Sequence, residues 1–127
     1  MGIQNLVLSV EQMKHLGKLG LKIKDTAFVW NINRYTKNVK LSSTYINNQC
    51  SVRTLTLQEI LELLPPMLFI NKEIYYLKYD FCVKVLHYST KDDSKCLKVF
   101  DYSSKKDAAY HALCYLLENG YLNTNNE

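Results

Sequence analysis

Residues 103–120 read SSKKDAAYHALCYLLENG, and this stretch decides the fold. Ser103 or Ser104 can cap a helix at its start, and the Asn119-Gly120 pair is typical of a helix end. Six apolar residues recur at helical spacing and form one continuous face: Ala108, Ala109, Ala112, Leu113, Leu116 and Leu117. We therefore predict a C-terminal helix that packs this face on the core of the protein.

The sequence before this helix is rich in β-forming residues. They occur in runs at 67–70, 74–79, 82–88 and 96–101, which are separated by short polar segments. Connections of this length favour antiparallel pairing of neighbouring strands. We therefore predict an antiparallel meander that leads directly into the C-terminal helix.

A turn centred near Asp92 would set the register of the last two strands. This register pairs Val85 with Val99 and His87 with Leu97, and it places those residues on the core side of the sheet together with Val83. The residues on the opposite side would then be Lys84, Tyr88 and Lys98.

Two capping boxes mark the starts of two further helices. Ser9 is followed three residues later by Gln12, and apolar residues at helical spacing then predict a helix over about residues 10–19. Thr56 and Glu59 form the second box, and a pair of prolines ends the apolar stripe that follows.

Between these helices the pattern changes twice. Apolar and polar residues alternate around Trp30, which predicts a strand over about residues 27–34. Polar residues then dominate 36–53, where no period persists. For that segment we predict a long loop, or else a weak hairpin that turns at Asn47-Asn48.

Length and composition limit the architecture to one folded domain. The chain has 127 residues, of which 47% are hydrophobic and 22% are charged, with only 4 glycines and 2 prolines. This excludes a disordered or collagen-like chain, and no run is long and apolar enough to span a membrane.

We predict a single α+β domain over residues 1–127. It contains a basic half (1–56) with the polar loop 36–53, and a β-meander plus C-terminal helix (65–122). The meander has three or four antiparallel strands with two or three helices packed on one face.

The cysteines and the N-terminus indicate a cytoplasmic protein. Cys50, Cys82, Cys96 and Cys114 have neither zinc-knuckle nor redox-pair spacing, so we predict four buried free thiols. The first residues show no basic region followed by a long apolar run, so we expect no secretory signal.

Three segments carry a family resemblance. They read LSVEQMKHL at 8–16, TLQEILELLP at 56–65 and DAAYHALCYLLENGY at 107–121, with a tryptophan in the strand after the first helix. In these segments the chain resembles small uncharacterised proteins of gut Bacteroides genomes and their phages. The resemblance implies an accessory protein of a mobile element and supplies no site residue, because the shared positions are packing and capping residues.

The polar side of the C-terminal helix is the strongest candidate for chemistry. Asp107, His111 and Glu118, together with Cys114, lie within reach of one another at helical spacing. Two pairs, Cys114 with His111 and Cys96 with His87, could in principle form a nucleophile and base. Neither pair has a recognisable local signature or an orienting third residue. We therefore predict a solvated helix face, no catalytic residue, no metal site and no cofactor.

The tyrosine content favours a protein partner. Ten tyrosines are many for this length, and five of them, Tyr75, Tyr76, Tyr79, Tyr88 and Tyr102, lie on or beside the predicted sheet. Tyrosine combines a large contact area with a polar tip, and it also has a high strand propensity. About half of these five are expected only to fill strands. Our leading hypothesis is a non-enzymatic accessory protein with a protein-binding surface.

The alternative hypothesis is nucleic-acid binding by the basic half. Residues 1–56 contain eight basic and two acidic side chains, a net charge of +6, whereas residues 57–127 have a net charge of −2. Candidate contacts to phosphates and bases are Lys14, Lys18, Lys22, Lys24, Trp30, Arg34 and Tyr35. Against this hypothesis, 14 of the 16 basic residues are lysine, and arginine is the usual choice for planar recognition.

Overall fold

The computed structural model describes residues 6–23, 25–45, 49–80 and 85–122. The helices within those residues are α1 (Val10–Lys18), α2 (Leu57–Leu63) and α3 (Lys105–Glu118). The strands are β1 (Phe28–Ile32), β2 (Val39–Ser42), β3 (Cys50–Thr54), β4 (Met67–Ile70), β5 (Glu73–Asp80), β6 (Val85–Ser89) and β7 (Cys96–Asp101). They form two antiparallel sheets, with strand orders β2-β1-β3 and β4-β5-β6-β7. The predicted α+β class with an antiparallel meander is confirmed.

All three predicted helix starts are confirmed. The Ser9 hydroxyl accepts a hydrogen bond from the backbone N–H of Gln12 at 3.1 Å, and Ser104 caps α3. The Thr56 hydroxyl accepts from the N–H of Glu59 at 3.2 Å, while the Glu59 carboxylate accepts from the N–H of Thr56 at 2.8 Å. These bonds satisfy donors that a helix start otherwise leaves without partners.

The predicted register between β6 and β7 is wrong by two residues. Val85 lies opposite Asp101 rather than Val99, and His87 lies opposite Val99. The loop closes with Thr90 N–H donating to the carbonyl of Lys95 at 2.9 Å, and a β-bulge follows beside Tyr88 and Ser89. The loop is centred between Asp92 and Asp93, which displaces the register by one residue, and the bulge adds one residue to β7, which displaces it by a second. The predicted core residue Val83 lies outside the described residues, as do Lys84 and Cys82.

The predicted core face of these strands is also wrong, except at Leu97, which is half-buried and packs against the core. Leu86, Tyr88 and Phe100 are buried, whereas Val99 is 50% exposed. Helix α3 packs across β6 and β7, and α2 packs on α3, so the row with the larger side chains faces the helices. The Tyr88 hydroxyl finds a partner there, because it donates to the Pro65 carbonyl at 2.7 Å. We call this helix-covered side the inner face of the four-stranded sheet and the other side its outer face.

The loop predicted over 36–53 is wrong, because this segment contains β2 and β3. The weak hairpin is wrong as well, since both strands pair with the central strand β1 and not with each other. Its proposed turn, Asn47-Asn48, lies outside the described residues. Asn31 of β1 is fully buried and bonds to both neighbours: its amide donates to Ser42 Oγ at 2.8 Å, and it accepts from Ser51 Oγ at 2.6 Å. Polar residues therefore form strands here by satisfying one buried amide.

One hydrophobic cluster joins the elements. It includes buried residues from all three helices and from the four-stranded sheet, and Val52 of β3 packs against it. Among the described residues, none of the helices combines the length and the apolar character that crossing a membrane requires.

Leu113 of α3 provides a test of this core. Its side chain is fully buried, so Leu113→Ala is expected to lower the free energy of unfolding by about 2 to 5 kcal/mol, measured by urea denaturation. Leu63→Ala, at a half-exposed position on α2, is the matched control and is expected to cost less than about 1 kcal/mol. Equal losses in the two variants would contradict the placement of α3.

Candidate functional site

An exposed apolar surface lies on the outer face of the four-stranded sheet. Met67 and Phe69 of β4 pair directly with Tyr76 and Ile74 of β5, so the four side chains lie side by side. Phe69 is 73% exposed, Met67 is 54% exposed and Ile74 is 42% exposed. We call these four residues the outer patch. Large apolar side chains that lie together on a surface are typical of an interaction site.

Two lysines near the ends of the strands that carry the outer patch are paired with carboxylates. Lys78 Nζ lies 2.6 Å from the Asp93 carboxylate, and Lys95 Nζ lies 2.6 Å from the Glu73 carboxylate. Lys78 also donates to the Thr90 carbonyl at 2.8 Å. The charge of Lys78, on the same face as the outer patch, is therefore neutralised within the chain itself. A shallow concavity of about 640 Å³ adjoins the patch at Ile74 and Tyr76 and continues to Lys72 and Lys91.

The proposed pair of Cys96 and His87 lies on this outer face but does not form a catalytic arrangement. His87 Nδ1 lies 2.6 Å from Ser89 Oγ, so the ring bonds to a hydroxyl of its own strand. Cys96 lies opposite Ser89 and is exposed. The imidazole is thus engaged by Ser89 and not by the thiol.

A second concave surface lies on the opposite, helix-covered side of the sheet. It has a volume of about 260 Å³ and lies between the end of α1, strand β7 and the polar side of α3. We call it the α3 cavity. Its lining consists of His15, Lys98, Phe100, Tyr102, Tyr110, His111, Cys114, Tyr115 and Glu118. The rings of Tyr102 and His111 stack with centroids 4.1 Å apart, and Tyr110 contacts His111 edge-on.

The cavity corrects the prediction of a solvated α3 face at Cys114 and His111, whereas Glu118 is exposed as predicted. Cys114 is buried and His111 is half-buried, because β7 and the end of α1 cover that side of the helix. Burial raises the pKa of the Cys114 thiol, and the nearby Glu118 carboxylate raises it further. Burial likewise raises the pKa of Tyr110, whose hydroxyl contacts the thiol. Cys114 is therefore a neutral thiol at pH 7, which is unsuited to the nucleophilic role considered for it with His111.

The carboxylates and imidazole of this helix do not converge as metal ligands. Within the described ranges, no group of three or more His, Cys, Asp or Glu side chains is close enough together to hold a metal ion. Asp107 lies in the first turn of α3, where its backbone N–H donates to Ser104, and His111 contacts rings instead.

The candidate nucleic-acid contacts are only partly brought together. Lys14 and Lys18 are exposed on α1, and Lys22 is exposed just after it. Arg34 and Tyr35 lie in the turn between β1 and β2, where Tyr35 is 93% exposed. Lys24 lies outside the described residues.

Trp30 is a core residue, which corrects its assignment as a base-stacking contact. Its indole is buried, and Nε1 donates to the Leu8 carbonyl at 2.8 Å. Because the indole is buried and its N–H is already hydrogen-bonded inside the protein, neither face of the ring is available to stack on a base.

The sheet tyrosines divide between the two faces. Tyr75, Tyr79 and Tyr88 point to the inner face and contribute to the core, whereas Tyr76 belongs to the outer patch. Tyr102, just after β7, is 40% exposed beside the α3 cavity. The expectation that about half of the five fill strands agrees with this division.

Comparison of the chain with models of known protein families, with curated proteins and with solved structures finds no match. The resemblance to Bacteroides and phage proteins therefore stays a prediction.

The residues that sequence reasoning missed are Met67, Phe69 and Ile74. The sequence predicts strands at these positions but not their exposure, because a run such as MLFI gives no sign of which side of the strand is covered. The available signal was the proline pair that precedes β4, which indicates a strand at the edge of the sheet.

The thiols provide a test of the site description. The prediction of buried thiols is wrong for Cys50 and Cys96, which are exposed, while Cys114 is buried and Cys82 lies outside the described residues.

At pH 7 we expect a thiol reagent to modify Cys50 and Cys96 rapidly in the native protein. Cys114 is expected to react only when the protein unfolds, or slowly at high pH, since its pKa is raised. Peptide mapping by mass spectrometry assigns each rate, and rapid native labelling of Cys114 would contradict the description of the α3 cavity.

Proposed function

We infer that the chain is a non-enzymatic accessory protein that binds a protein partner through the outer patch and works in the reducing cytosol. The observation that carries this proposal is the group of four paired apolar residues Met67, Phe69, Ile74 and Tyr76 on the exposed side of the sheet. The cytosolic location is supported by the exposed free thiols of Cys50 and Cys96. The mobile-element context implied by the family resemblance belongs to the same proposal.

The outer patch has the composition of an interface centre. Aromatic residues and methionine are enriched in protein interfaces, while lysine and glutamate are depleted there. Burying an exposed phenylalanine side chain contributes about 1.5 to 3 kcal/mol, which corresponds to about 10- to 150-fold in affinity. Phe69 is therefore expected to contribute a large share of the favourable binding free energy.

The electrostatics of the patch limit the kind of partner. Since Lys78 is paired with Asp93 and the patch itself consists of four uncharged side chains, the centre of the patch offers no charge to an oppositely charged surface. The partner is expected to present an apolar surface with few charges. Binding is then expected to depend weakly on salt concentration, because little charge is screened when the surfaces meet.

Substitution of the patch tests the proposal. Phe69→Asp and Ile74→Asp are each expected to weaken binding to the partner at least about ten-fold, because each introduces an uncompensated carboxylate into the contact. The partner is isolated by cross-linking to the tagged chain in its native cell, purified and titrated by calorimetry. Tyr35→Asp, at the exposed tip of the other sheet, is the matched control and is expected to bind normally.

Two results would count against the outer patch. One is unchanged affinity for the purified partner in both patch variants while urea denaturation shows them folded. The other is a strong fall in affinity with rising salt, which points to a charged surface. If sedimentation shows a dimer that Phe69→Asp converts to a monomer, the partner is a second copy of the chain.

Nucleic-acid binding is the second candidate. It is supported by the exposed side chains of Lys14, Lys18 and Lys22. It is also supported by the position of Arg34 and Tyr35 in the turn between β1 and β2. The buried Trp30 is not available to this candidate. The Arg53 guanidinium lies 3.9 Å from the Asp25 carboxylate and 5.0 Å from the centre of the Tyr45 ring, so both groups already engage it.

A salt titration separates this candidate from the first. If it is right, single-stranded RNA binds at low salt, and replacing Lys14, Lys18 and Lys22 with Gln lowers the log–log salt slope by about two. The control variant replaces Lys72 and Lys91, two exposed lysines of the other sheet, and is expected to leave the slope unchanged. Absence of a shift for a labelled oligonucleotide at low salt and micromolar protein would exclude nucleic-acid binding by these residues.

A further inference from the structure

The α3 cavity contains polar side chains that the rest of the chain does not use. Within the part of the chain that the structure describes, the side chains of Lys98, His111 and Glu118 take part in no hydrogen bond and no ion pair. Lys98 Nζ lies 6.0 Å from the centre of the Tyr115 ring, and His111 contacts only rings. Polar groups that converge on a cavity without a protein partner are typical of a small-molecule site.

Two of these side chains carry opposite charges at the same end of the cavity. Lys98 lies over Tyr115, and Glu118 follows Tyr115 by three residues, which places it about one turn further along the helix. Their charged atoms do not come within the 4.0 Å of an ion pair. Both side chains are exposed to solvent at the edge of the cavity, so a ligand that itself carries both signs is able to contact both of them.

The other end of the cavity is a wall of rings. His111 precedes Glu118 by seven residues, which is about 10 Å along the helix. There Tyr102 stacks on His111 with an angle of 9° between the rings, and Tyr110 stands edge-on. Rings arranged in this way accept a further flat group by stacking or edge contact.

We propose that the α3 cavity binds a zwitterionic α-amino acid with a planar side chain. Its carboxylate contacts Lys98, its ammonium contacts Glu118, and its side chain packs against Tyr102 and His111. The volume of about 260 Å³ equals that of about nine liquid water molecules, which suits one amino acid and is too small for a folded peptide segment. Lysine and glutamate make charge-assisted hydrogen bonds of the kind such a ligand requires.

This site is independent of the outer patch. Lys98 belongs to the side of β7 that faces α3, whereas the outer patch lies on the opposite side of the sheet. Substitutions in the cavity therefore test the ligand without changing the surface proposed to bind a protein.

The test titrates the full chain with L-phenylalanine, L-tryptophan and L-histidine, by calorimetry and by NMR of the tyrosine and histidine rings. Saturable binding of at least one of them is expected, with shifts confined to the rings of the cavity. Two analogues of phenylalanine each lack one charge: 3-phenylpropanoate has no ammonium, and 2-phenylethylamine has no carboxylate. Each is expected to bind about ten-fold more weakly than phenylalanine or worse.

Paired variants assign the two charges. Lys98→Gln is expected to weaken binding of phenylalanine and phenylpropanoate about ten-fold and to leave phenylethylamine unaffected. Glu118→Gln is expected to weaken phenylalanine and phenylethylamine and to leave phenylpropanoate unaffected. Lys98→Arg keeps the charge and is expected to keep binding. Lys91→Gln and Glu62→Gln, at exposed positions outside the cavity, are the matched controls.

Three results would overturn the proposal. The first is that none of the three amino acids shows saturable binding at concentrations up to about 10 mM. A dissociation constant above that concentration is too weak for specific recognition. The second is equal affinity of phenylalanine and both analogues. The third is unchanged discrimination among these ligands in Lys98→Gln and Glu118→Gln. Both substituted positions are exposed, and thermal denaturation verifies that each variant is folded.

Discussion

The carbonyl of Leu8 is the point on which the rest of the structure depends. It accepts one hydrogen bond from the Trp30 indole at 2.8 Å and another from the Thr54 hydroxyl at 2.6 Å. The Leu8 N–H donates to the Leu55 carbonyl at 3.0 Å, and Lys106 of α3 donates to the carbonyl of the preceding residue at 3.1 Å. One short segment thus attaches the three-stranded sheet and α3 to the start of α1. Because Trp30 and Thr54 donate to the same carbonyl, losing either donor leaves the other in place and costs about one net hydrogen bond, about 0.5 to 1.5 kcal/mol.

The sequence predictions that succeeded concern interactions between residues close together in the chain. Helix starts depend on side chains only three residues apart, such as Ser9 with Gln12 and Thr56 with Glu59, so a local pattern suffices to find them. The strands β2 and β3 depend instead on Asn31, whose partners lie 11 and 20 residues away in the chain. A polar segment that satisfies a distant buried amide has the composition of a loop, and the sequence alone gives no sign of the pairing.

The candidate sites show the same difference. Features that depend on residues close together in the sequence are predicted, whereas features that depend on packing between distant elements are not. Alternation along β6 defines two rows of side chains, but only contact with α3 decides that Leu86 and Tyr88 face inward and Val99 faces outward. The sequence therefore identified the strands and the tyrosines of the sheet, but it assigned the wrong row to the core. The polar residues of α3 were identified as a group from helical spacing. Their enclosure by β7 and α1 was not predicted, because it depends on packing between elements far apart in the sequence.

The two faces of the four-stranded sheet differ in how their charges are used, and this difference supports separate roles for them. On the outer face, Lys78 has an acidic partner, Asp93, at 2.6 Å, and the apolar side chains of the outer patch dominate the surface beside it. On the inner face, Lys98 and Glu118 share one cavity without pairing to each other or to another described group. Both side chains are exposed to solvent at the edge of the cavity, where a ligand of matching charges is able to form charge-assisted hydrogen bonds with them. A broad neutral apolar face suits a protein surface, whereas a small cavity with separated charges suits a small zwitterion.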